Sequence, residues 1–403
     1  MEKILISPAH YLLDINSQSE FYLASKIIYS LAEKNKEIEY HVLCGHCANK
    51  KVLSKNIIVY ELFKDYNFSL SLKNRIIFYL WTLVKSIQLS FKNKFVKIWH
   101  ILPNGRYSYN LFILFKIYKI FNIKECIIGP LQIFHKSKDY LVVNSGKLMV
   151  TREKNNIMFI MFRILSIFSK HYFNNFNKYI FISKSSKLDY INFSINNITD
   201  QNSKIIGIGI DNKKFVYKRK SFNKNIKFLY VGNFTQNKNI DKILLILVEY
   251  KKINKNFILD LVGDGQEMSN IRSLVKKLKL EQNIVFHGFI KNVDIYKFYE
   301  GANFLFLLSK NEGFPHTLLE SWASGVLFIG SNIPAFENIV RHNHNGLIFD
   351  INENTQYNNI ANIISSINQT QYNQIVYNAE NDCRQYHWDN IINQYYEIIS
   401  KEA

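Results

Sequence analysis

The chain of 403 residues predicts an α/β protein made of two Rossmann-like units. Three observations lead there. Short runs of β-branched and aromatic residues alternate with amphipathic stretches of helical period, the pattern of parallel sheets covered by helices on both faces. The length and the 47% hydrophobic content suit two domains, each with its own core. The net charge of +19 is unevenly divided, because residues 1–204 hold 29 Lys and Arg against 13 Asp and Glu, whereas residues 205–403 hold 22 against 19.

In the first half, Ile4–Ser7, Glu39–Leu43, Ile57–Tyr60, Val96–Leu102, Cys126–Ile128 and Tyr179–Ser183 read as strands. Helices are expected around Ser19–Lys34, where Ser17 and Glu20 have capping-box spacing, and over Ile76–Phe91, Asn110–Phe121 and Ile157–Tyr172. A linker is expected near residues 200–225. The second half reads more cleanly. Its strands are Ile226–Val231, Phe257–Val262, Asn283–His287, Phe304–Leu308, Leu327–Gly330 and Gly346–Phe349. Between them lie helices Ile240–Lys252, Met268–Leu280 and Ile295–Glu300. Ligands of such folds bind at the carboxyl ends of the strands, so a site is expected in a cleft between the two units.

Several classes are excluded. Met1-Glu-Lys-Ile-Leu-Ile-Ser-Pro8 reads as a strand, so no secretory leader is expected. No uncharged apolar run reaches the roughly 18 residues of a spanning helix. Four cysteines do not suggest a disulfide framework. Cys44-Gly-His-Cys47 has the spacing of a thiol-redox pair, but Leu43 precedes it and no second pair completes a zinc site. The charge of the first half points to an anionic partner. No nucleic-acid recognition motif accompanies it. Segments 73–97, 110–124 and 154–178 interleave Phe, Ile, Leu and Tyr with Lys and Arg, which suits an anionic membrane surface as well as ordinary core helices.

The run Ser309-Lys-Asn-Glu-Gly-Phe-Pro-His-Thr-Leu-Leu-Glu320 concentrates the chemistry. A loop with Gly313 and Pro315 enters an apolar helix, with Glu312 before the junction and Glu320 after it. The N–H groups of a helix start hold phosphate, and carboxylates accept hydrogen bonds from sugar hydroxyls. Thr317 and Glu320 also read as a capping box, which needs no ligand.

This Glu-x7-Glu spacing resembles the signature of retaining glycosyltransferases of the GT-B fold, in particular glycosyltransferase family 4. Further motifs occur in the family's order. Ile208-Gly209-Ile210-Asp211 resembles the stretch that opens the second domain. Val231-Gly232-Asn233-Phe-Thr-Gln-Asn-Lys238 resembles the diphosphate-binding loop, with Asn233 in place of its arginine and Asn239 in place of the following glycine. Gly263-Asp264-Gly265, Val285-Phe-His-Gly-Phe289, Trp322-Ala-Ser-Gly325-Val, Asn345-Gly346 and the closing segment at Trp388 match as well. Leu327 stands where proline is usual. The resemblance covers about residues 205–400 and is weak before them. There, Asp14–Glu20 lacks the family's glycines, and Gly129-Pro130 replaces a histidine-bearing dipeptide. His135 lies nearby, and His100 ends a strand like one of the family's.

The resemblance implies a GT-B architecture. Residues 1–204 form an acceptor-binding domain, 205–385 a nucleotide-sugar-binding domain, and 386–403 a helix returning to the first. It implies a metal-independent, retaining hexosyltransferase, and no Asp-x-Asp triplet occurs. The donor is a UDP- or GDP-sugar with no further cofactor. The acceptor is a glycan or lipid-linked sugar of surface polysaccharide or glycolipid synthesis. The enzyme is expected in the cytoplasm, peripheral on the inner face of the membrane, with no nucleic-acid partner. Glu312, Lys238 and His100 are the catalytic candidates. Glu320, Gly232, Asn233 and Gly263 are expected around the nucleotide, with Phe289 at its base. Phe314, Pro315, His316, Thr317 and Leu318 line the helix start. Two alternatives remain open: a catalytically silent binding protein on this scaffold, suggested by Asn233 and Leu327, and a nucleotide-sugar epimerase.

Overall fold

Ile226-Lys-Phe-Leu-Tyr-Val231 is apolar at nearly every position, as a strand covered on both faces must be. Such strands build the two large sheets of the molecule. The computed structural model describes residues 1–14, 20–48, 50, 53–63, 72–101, 110–132, 141–142, 148–149, 171–192, 197–221, 225–337 and 339–400. The chain divides into two compact units, Met1–Gly207 with Ile392–Ala403, and Ile208–Ile391.

The first unit contains β1 (Glu2–Leu13), β2 (Ile38–Cys47), β3 (Ile57–Glu61), β4 (Lys97–His100) and β5 (Glu125–Leu131). A short antiparallel pair, β6 (Leu141–Val142) and β7 (Leu148–Met149), precedes β8 (Lys178–Phe181) and β9 (Ser203–Ile205). The main sheet runs β3-β2-β1-β4-β5-β8-β9, with parallel pairing throughout. Its helices are α1 (Glu20–Lys34), α2 (Leu72–Lys92), α3 (Leu111–Leu114) and α4 (Lys184–Asn192). Ser17, His135 and most of the helix expected over Ile157–Tyr172 lie outside the described residues.

The helix expected over Asn110–Phe121 is interrupted. Asn110 caps α3, its Oδ1 accepting from the N–H of Phe112 at 2.9 Å and of Ile113 at 3.3 Å. Lys116 then turns left-handed at φ 56°, which ends the α-helical ladder and leaves a separate 3-10 turn at Ile117–Lys119. The buried residues Phe112, Ile113 and Tyr118 account for the helical period in the sequence. Cys44 and Cys47 are both buried in β2, and burial holds the Cys44 thiol well above its ordinary range. That environment is a packed core and disfavours thiolate chemistry.

The second unit contains β10 (Ile226–Val231), β11 (Phe257–Val262), β12 (Ile284–Gly288), β13 (Phe304–Leu307), β14 (Leu327–Ser331) and β15 (Leu347–Phe349). They order as β12-β11-β10-β13-β14-β15, all parallel. This is the doubly wound order of a dinucleotide-binding sheet. Its helices are α5 (Ile240–Ile253), α6 (Met268–Lys277), α7 (Tyr296–Gly301), α8 (His316–Ala323), α9 (Pro334–Glu337), α10 (Tyr357–Ser366) and α11 (Gln369–Cys383). Phe228, Leu259, Phe304, Leu327 and Ile329 from the sheet pack with Ile243, Leu247, Ile364 and Ile375 from the helices. Each such side chain contributes about 1.5–3 kcal/mol by leaving water.

A last helix, α12 (Trp388–Ser400), closes the chain, and its final residues belong to the first unit. They are held there by charge. Glu125 is 3% exposed. Its carboxylate lies 2.5 Å from Lys178 Nζ and 3.4 Å from Lys97 Nζ. Lys97 in turn donates to the carbonyl of Ile399, and Lys178 to that of Ile398 at 3.1 Å. The free carbonyls at the helix end thus receive two ammonium groups, which also oppose the helix dipole. Removing one partner of a buried pair leaves an uncompensated charge. Glu125→Gln is therefore expected to cost about 3 kcal/mol of unfolding free energy by urea denaturation, while an exposed pair such as Lys218–Glu300 changes stability by less than about 1 kcal/mol when broken.

Candidate active site

The strand order of the second sheet reverses between β10 and β13. Connections leave these two strands in opposite directions, so the loops beyond their carboxyl ends flank a crevice. The first loop runs from Gly232 to Lys238, and the second from Leu308 to Pro315. Three hydrogen bonds tie them together. Lys310 N–H donates to Asn237 O at 2.8 Å, Asn237 Nδ2 to Asn311 O at 2.9 Å, and Asn239 Nδ2 to Leu308 O at 2.8 Å. Asn239 sits at φ 49°, a left-handed conformation that Asn tolerates better than most residues. This explains how it stands where the resemblance expects glycine.

The two loops bring a cation to a carboxylate. Lys238 Nζ lies 2.5 Å from Glu312 Oε1, and Ser309 Oγ donates to the same oxygen at 2.5 Å. Both members are mostly sheltered, with side chains 20% and 13% exposed.

The glycines of Gly263-Asp-Gly265 have a steric role beneath this pair. Both are at positive φ, 137° and 159°. A Cβ on Gly263 would lie 1.9 Å from Gly232 O, and one on Gly265 would lie 2.4 Å from Phe234 O. The loop after β10 therefore rests directly on the backbone after β11. Phe234 N–H donates to Asp264 O at 2.9 Å, and Tyr230 Oη donates to Asn233 O at 2.9 Å. The Asn233 side chain is exposed and neutral.

Helix α8 starts at His316, with Pro315 in the cap position and no side-chain cap. The capping box read between Thr317 and Glu320 does not form. Glu320 instead accepts a hydrogen bond from Tyr299 Oη at 2.6 Å. Burial pushes the Glu320 carboxyl above its usual range, opposed by the Tyr299 hydrogen bond and the charge of Lys214. Lys214 Nζ donates to the Asn292 carbonyl and, at 2.9 Å, to its Oδ1. Burial lowers its affinity for a proton. Asp211 fixes the turn that delivers it, since Asp211 Oδ1 accepts from the N–H of Lys213 at 3.0 Å and of Lys214 at 3.3 Å.

The remaining expected residues are spread around this core. Phe289 follows the left-handed Gly288 and is 68% exposed. Phe314 is buried, its ring 5.9 Å from that of Tyr386, and Leu318 is fully buried in the core. His316 is half-buried, and the protein around its ring depresses its pKa to about 4 by burial. In the first unit, His100 is 1% exposed and hydrogen-bonds Tyr172 through Nδ1. Those surroundings are those of a core residue. Tyr299, Lys214 and Ser309 carry no role in the sequence reading. Ser309 had a signal, its three-residue spacing before Glu312. Tyr299 had none, because only the fold brings α7 beside α8.

A doubly wound sheet with lysine, glutamate and an uncapped helix start at its switch point has the architecture of a GT-B unit. Residues 211–382, most of the second unit, match the model of the family "Glycosyl transferases group 1". The chain is 33% identical over 182 residues to the O-antigen biosynthesis glycosyltransferase WclY of Escherichia coli, covering 44% of this chain and 46% of the relative. It is 25% identical over 227 residues to an uncharacterized glycosyltransferase of Haemophilus influenzae, covering 53% and 63%. Across these and two further relatives, the matches span 32% to 63% of the relatives' lengths. Among solved structures, Anabaena Alr3699/HepE in complex with UDP aligns over 99% of this chain and 100% of its own, with TM-score 0.68 and 15% identity. Sucrose-phosphate synthase from Thermosynechococcus elongatus aligns over 99% and 98%, with TM-score 0.69 and 15% identity. These two likenesses are of fold.

The depressed pKa of His316 has a direct readout. Its imidazole is expected to stay neutral from about pH 8 to about pH 5, so an NMR titration should find no protonation midpoint near the ordinary value of about 6.5. A midpoint near that value would show that the ring is solvated.

Proposed function

We propose that the chain is a retaining, metal-independent glycosyltransferase that moves a hexosyl group from a UDP- or GDP-sugar to a glycan or lipid-linked acceptor. The reaction belongs to surface polysaccharide or glycolipid synthesis and takes place at an anionic membrane surface on the cytoplasmic side. The observation that carries this reading is the Lys238–Glu312 pair at the switch point, directly before the uncapped start of α8. A phosphate suits the free N–H groups there, and a lysine beside it neutralises charge as the diphosphate departs. UDP is the nucleotide bound by the Anabaena protein of like fold, and O-antigen synthesis is the printed role of the Escherichia coli relative.

In the proposed reaction, the bond between the anomeric carbon and the diphosphate oxygen breaks, and the diphosphate leaves with the electron pair. The acceptor oxygen bonds to the same face of the sugar, and its proton passes to the departing phosphate. Glu312 holds sugar hydroxyls, Glu320 holds the ribose hydroxyls, and Lys238 with the α8 N–H groups holds the diphosphate. Asn233 supplies no cation, so Lys238 carries a larger share of that task than a lysine paired with an arginine. No enzyme nucleophile is invoked, and His100 is given no part in the reaction.

A charge-assisted hydrogen bond to a sheltered partner is worth about 1.5–3 kcal/mol, or roughly ten- to hundredfold in binding or rate. Glu320→Gln should weaken nucleoside diphosphate binding by that factor in calorimetry. Glu312→Gln should leave nucleotide binding nearly intact and lower turnover of the sugar nucleotide. Lys238→Ala should lose more activity than Lys238→Arg, and EDTA should not inhibit. Wild-type behaviour of all three alanine or glutamine variants would place the donor elsewhere.

Tyr299→Phe separates orientation from contact. Without the phenol, the Glu320 carboxylate loses its fixed direction, so binding should weaken toward that of Glu320→Gln, and preference for ribose over 2′-deoxyribose or 3′-deoxyribose nucleotides should narrow. Unchanged preference in Tyr299→Phe, with narrowed preference in Glu320→Gln, would assign Tyr299 to packing alone.

A further inference from the structure

Helix α2 carries apolar side chains on its outer side as well as on the side that meets the core. On an amphipathic helix of a globular protein the apolar stripe faces inward and the polar residues face water. Along Leu72–Lys92 the inward row includes Thr82, Ser86 and Ser90, all buried. The outward row consists of Ile76, Ile77, Leu80, Val84 and Phe91, exposed by 51%, 39%, 51%, 53% and 78%. At ~100° per residue these five side chains fall within an arc of about 100°. The orientation is fixed from below. Ser86 Oγ lies 2.9 Å from Ser7 Oγ of β1, while Thr82 Oγ1 is satisfied within the helix by Tyr79 O. Phe78 and Leu89 complete the buried side.

The stripe continues onto the next element. Phe91 meets Phe121 edge-on at 5.0 Å, and the segment between α3 and Phe121 exposes Phe115 by 63% and Ile120 by 77%. A contiguous exposed apolar surface of this kind marks a contact site. We infer that this face of α2, together with Phe115 and Ile120, docks the first unit onto an anionic lipid bilayer.

Charge selects lipid as the occupant. Residues 66–124 include ten Lys and Arg and no Asp or Glu. Lys92, Lys116 and Lys119 are exposed and adjoin Phe91, Phe115 and Ile120 in the chain, and Lys94 and Lys124 are exposed a few residues further on. An apolar stripe flanked by lysines, with no carboxylate to offset them, suits insertion at the boundary between headgroups and acyl chains. Lys97 lies in the same run of sequence but is buried against Glu125, so it takes no part. Among the described residues no helix is long and apolar enough to cross a membrane, and the contact is therefore with the surface. The inference rests on the membrane-facing part of the proposed reaction, but vesicle binding is read without sugar transfer, so either one can fail alone.

The test uses the full chain and vesicles of phosphatidylcholine, with and without a third of phosphatidylglycerol, sedimented at low and high salt. The wild-type chain should pellet with the anionic vesicles at low salt and be released at high salt. Each exposed lysine near an anionic surface multiplies binding about fivefold, so Lys92→Glu with Lys94→Glu and Lys119→Glu should lower partitioning at least tenfold. Leu80→Glu with Phe91→Glu should lower it as far, while leaving the far-UV circular dichroism spectrum and the urea unfolding curve of the chain unchanged. Those two readouts cover both units and show that the variant is folded. Equal recovery of wild-type chain in the supernatant with both vesicle types overturns the inference. So does undiminished vesicle binding by the Leu80/Phe91 variant. A wild-type dimer in light scattering that the same variant dissolves, without vesicle binding, would assign the face to a second copy of the chain instead.

Discussion

The reversal of strand order between β10 and β13 governs the second unit. Parallel strands need helical crossovers, and crossovers that wind in opposite directions from adjacent strands leave the space above those strands open. Two of the charged groups in the candidate site are delivered to that space by short connections. Lys238 comes from the loop after β10, and Glu312 from the loop after β13. The Gly263-Asp-Gly265 turn lets the first loop lie close, because any side chain at Gly263 would strike the Gly232 carbonyl. Positioning is therefore backbone work, and the side chains need only short reaches. The pair is also doubly supported. Ser309 holds the same Glu312 oxygen as Lys238 does, so the carboxylate has a second donor beside the ammonium.

Glu320 is arranged on a different principle. A carboxylate in a packed environment is costly unless its lone pairs are satisfied. The Tyr299 hydroxyl answers part of that cost from α7, and Lys214 adds charge from the turn at Asp211. Lys214 also fastens Asn292, in the loop that begins with the exposed Phe289. One lysine thus relates the carboxylate on α8 to the connection after β12. A hydrophobic residue at position 214 would loosen both at once.

The second half was legible in the sequence because its strands are buried on both faces and read as apolar runs between turns. All six strands expected there are present, within a residue or so at each end. Glu312, Lys238 and Glu320 stood out in the sequence as candidates, and the fold brings Lys238 to Glu312. Long-range geometry was not. Thr317 and Glu320 have the spacing of a capping box, but a phenol 21 residues upstream competes for the carboxylate and wins. The helix expected over Asn110–Phe121 has the right period of apolar residues, yet one left-handed backbone at Lys116 divides it. His100 looked available at a strand end, and packing against Tyr172 closes it in. Period and spacing report which residues are buried. They do not report what a buried polar group finds as a partner.

The charge of the first half shows the same limit. A net excess reads as a single property in the sequence, but the fold divides it into two kinds. Lys97 and Lys178 are fastened to Glu125 and to the last carbonyls of α12. Their interactions sit in low dielectric and are little affected by salt. Lys92, Lys116 and Lys119 face water and adjoin exposed apolar residues in the chain, with Lys94 and Lys124 exposed a few residues further on, and a Debye length of about 8 Å at physiological salt limits their reach. The first kind helps hold the unit together at any ionic strength. The second acts only on a partner that comes within that distance, and the apolar row of α2 gives such a partner a reason to stay. Burial, rather than the count of lysines, separates stability from recognition in this half of the chain.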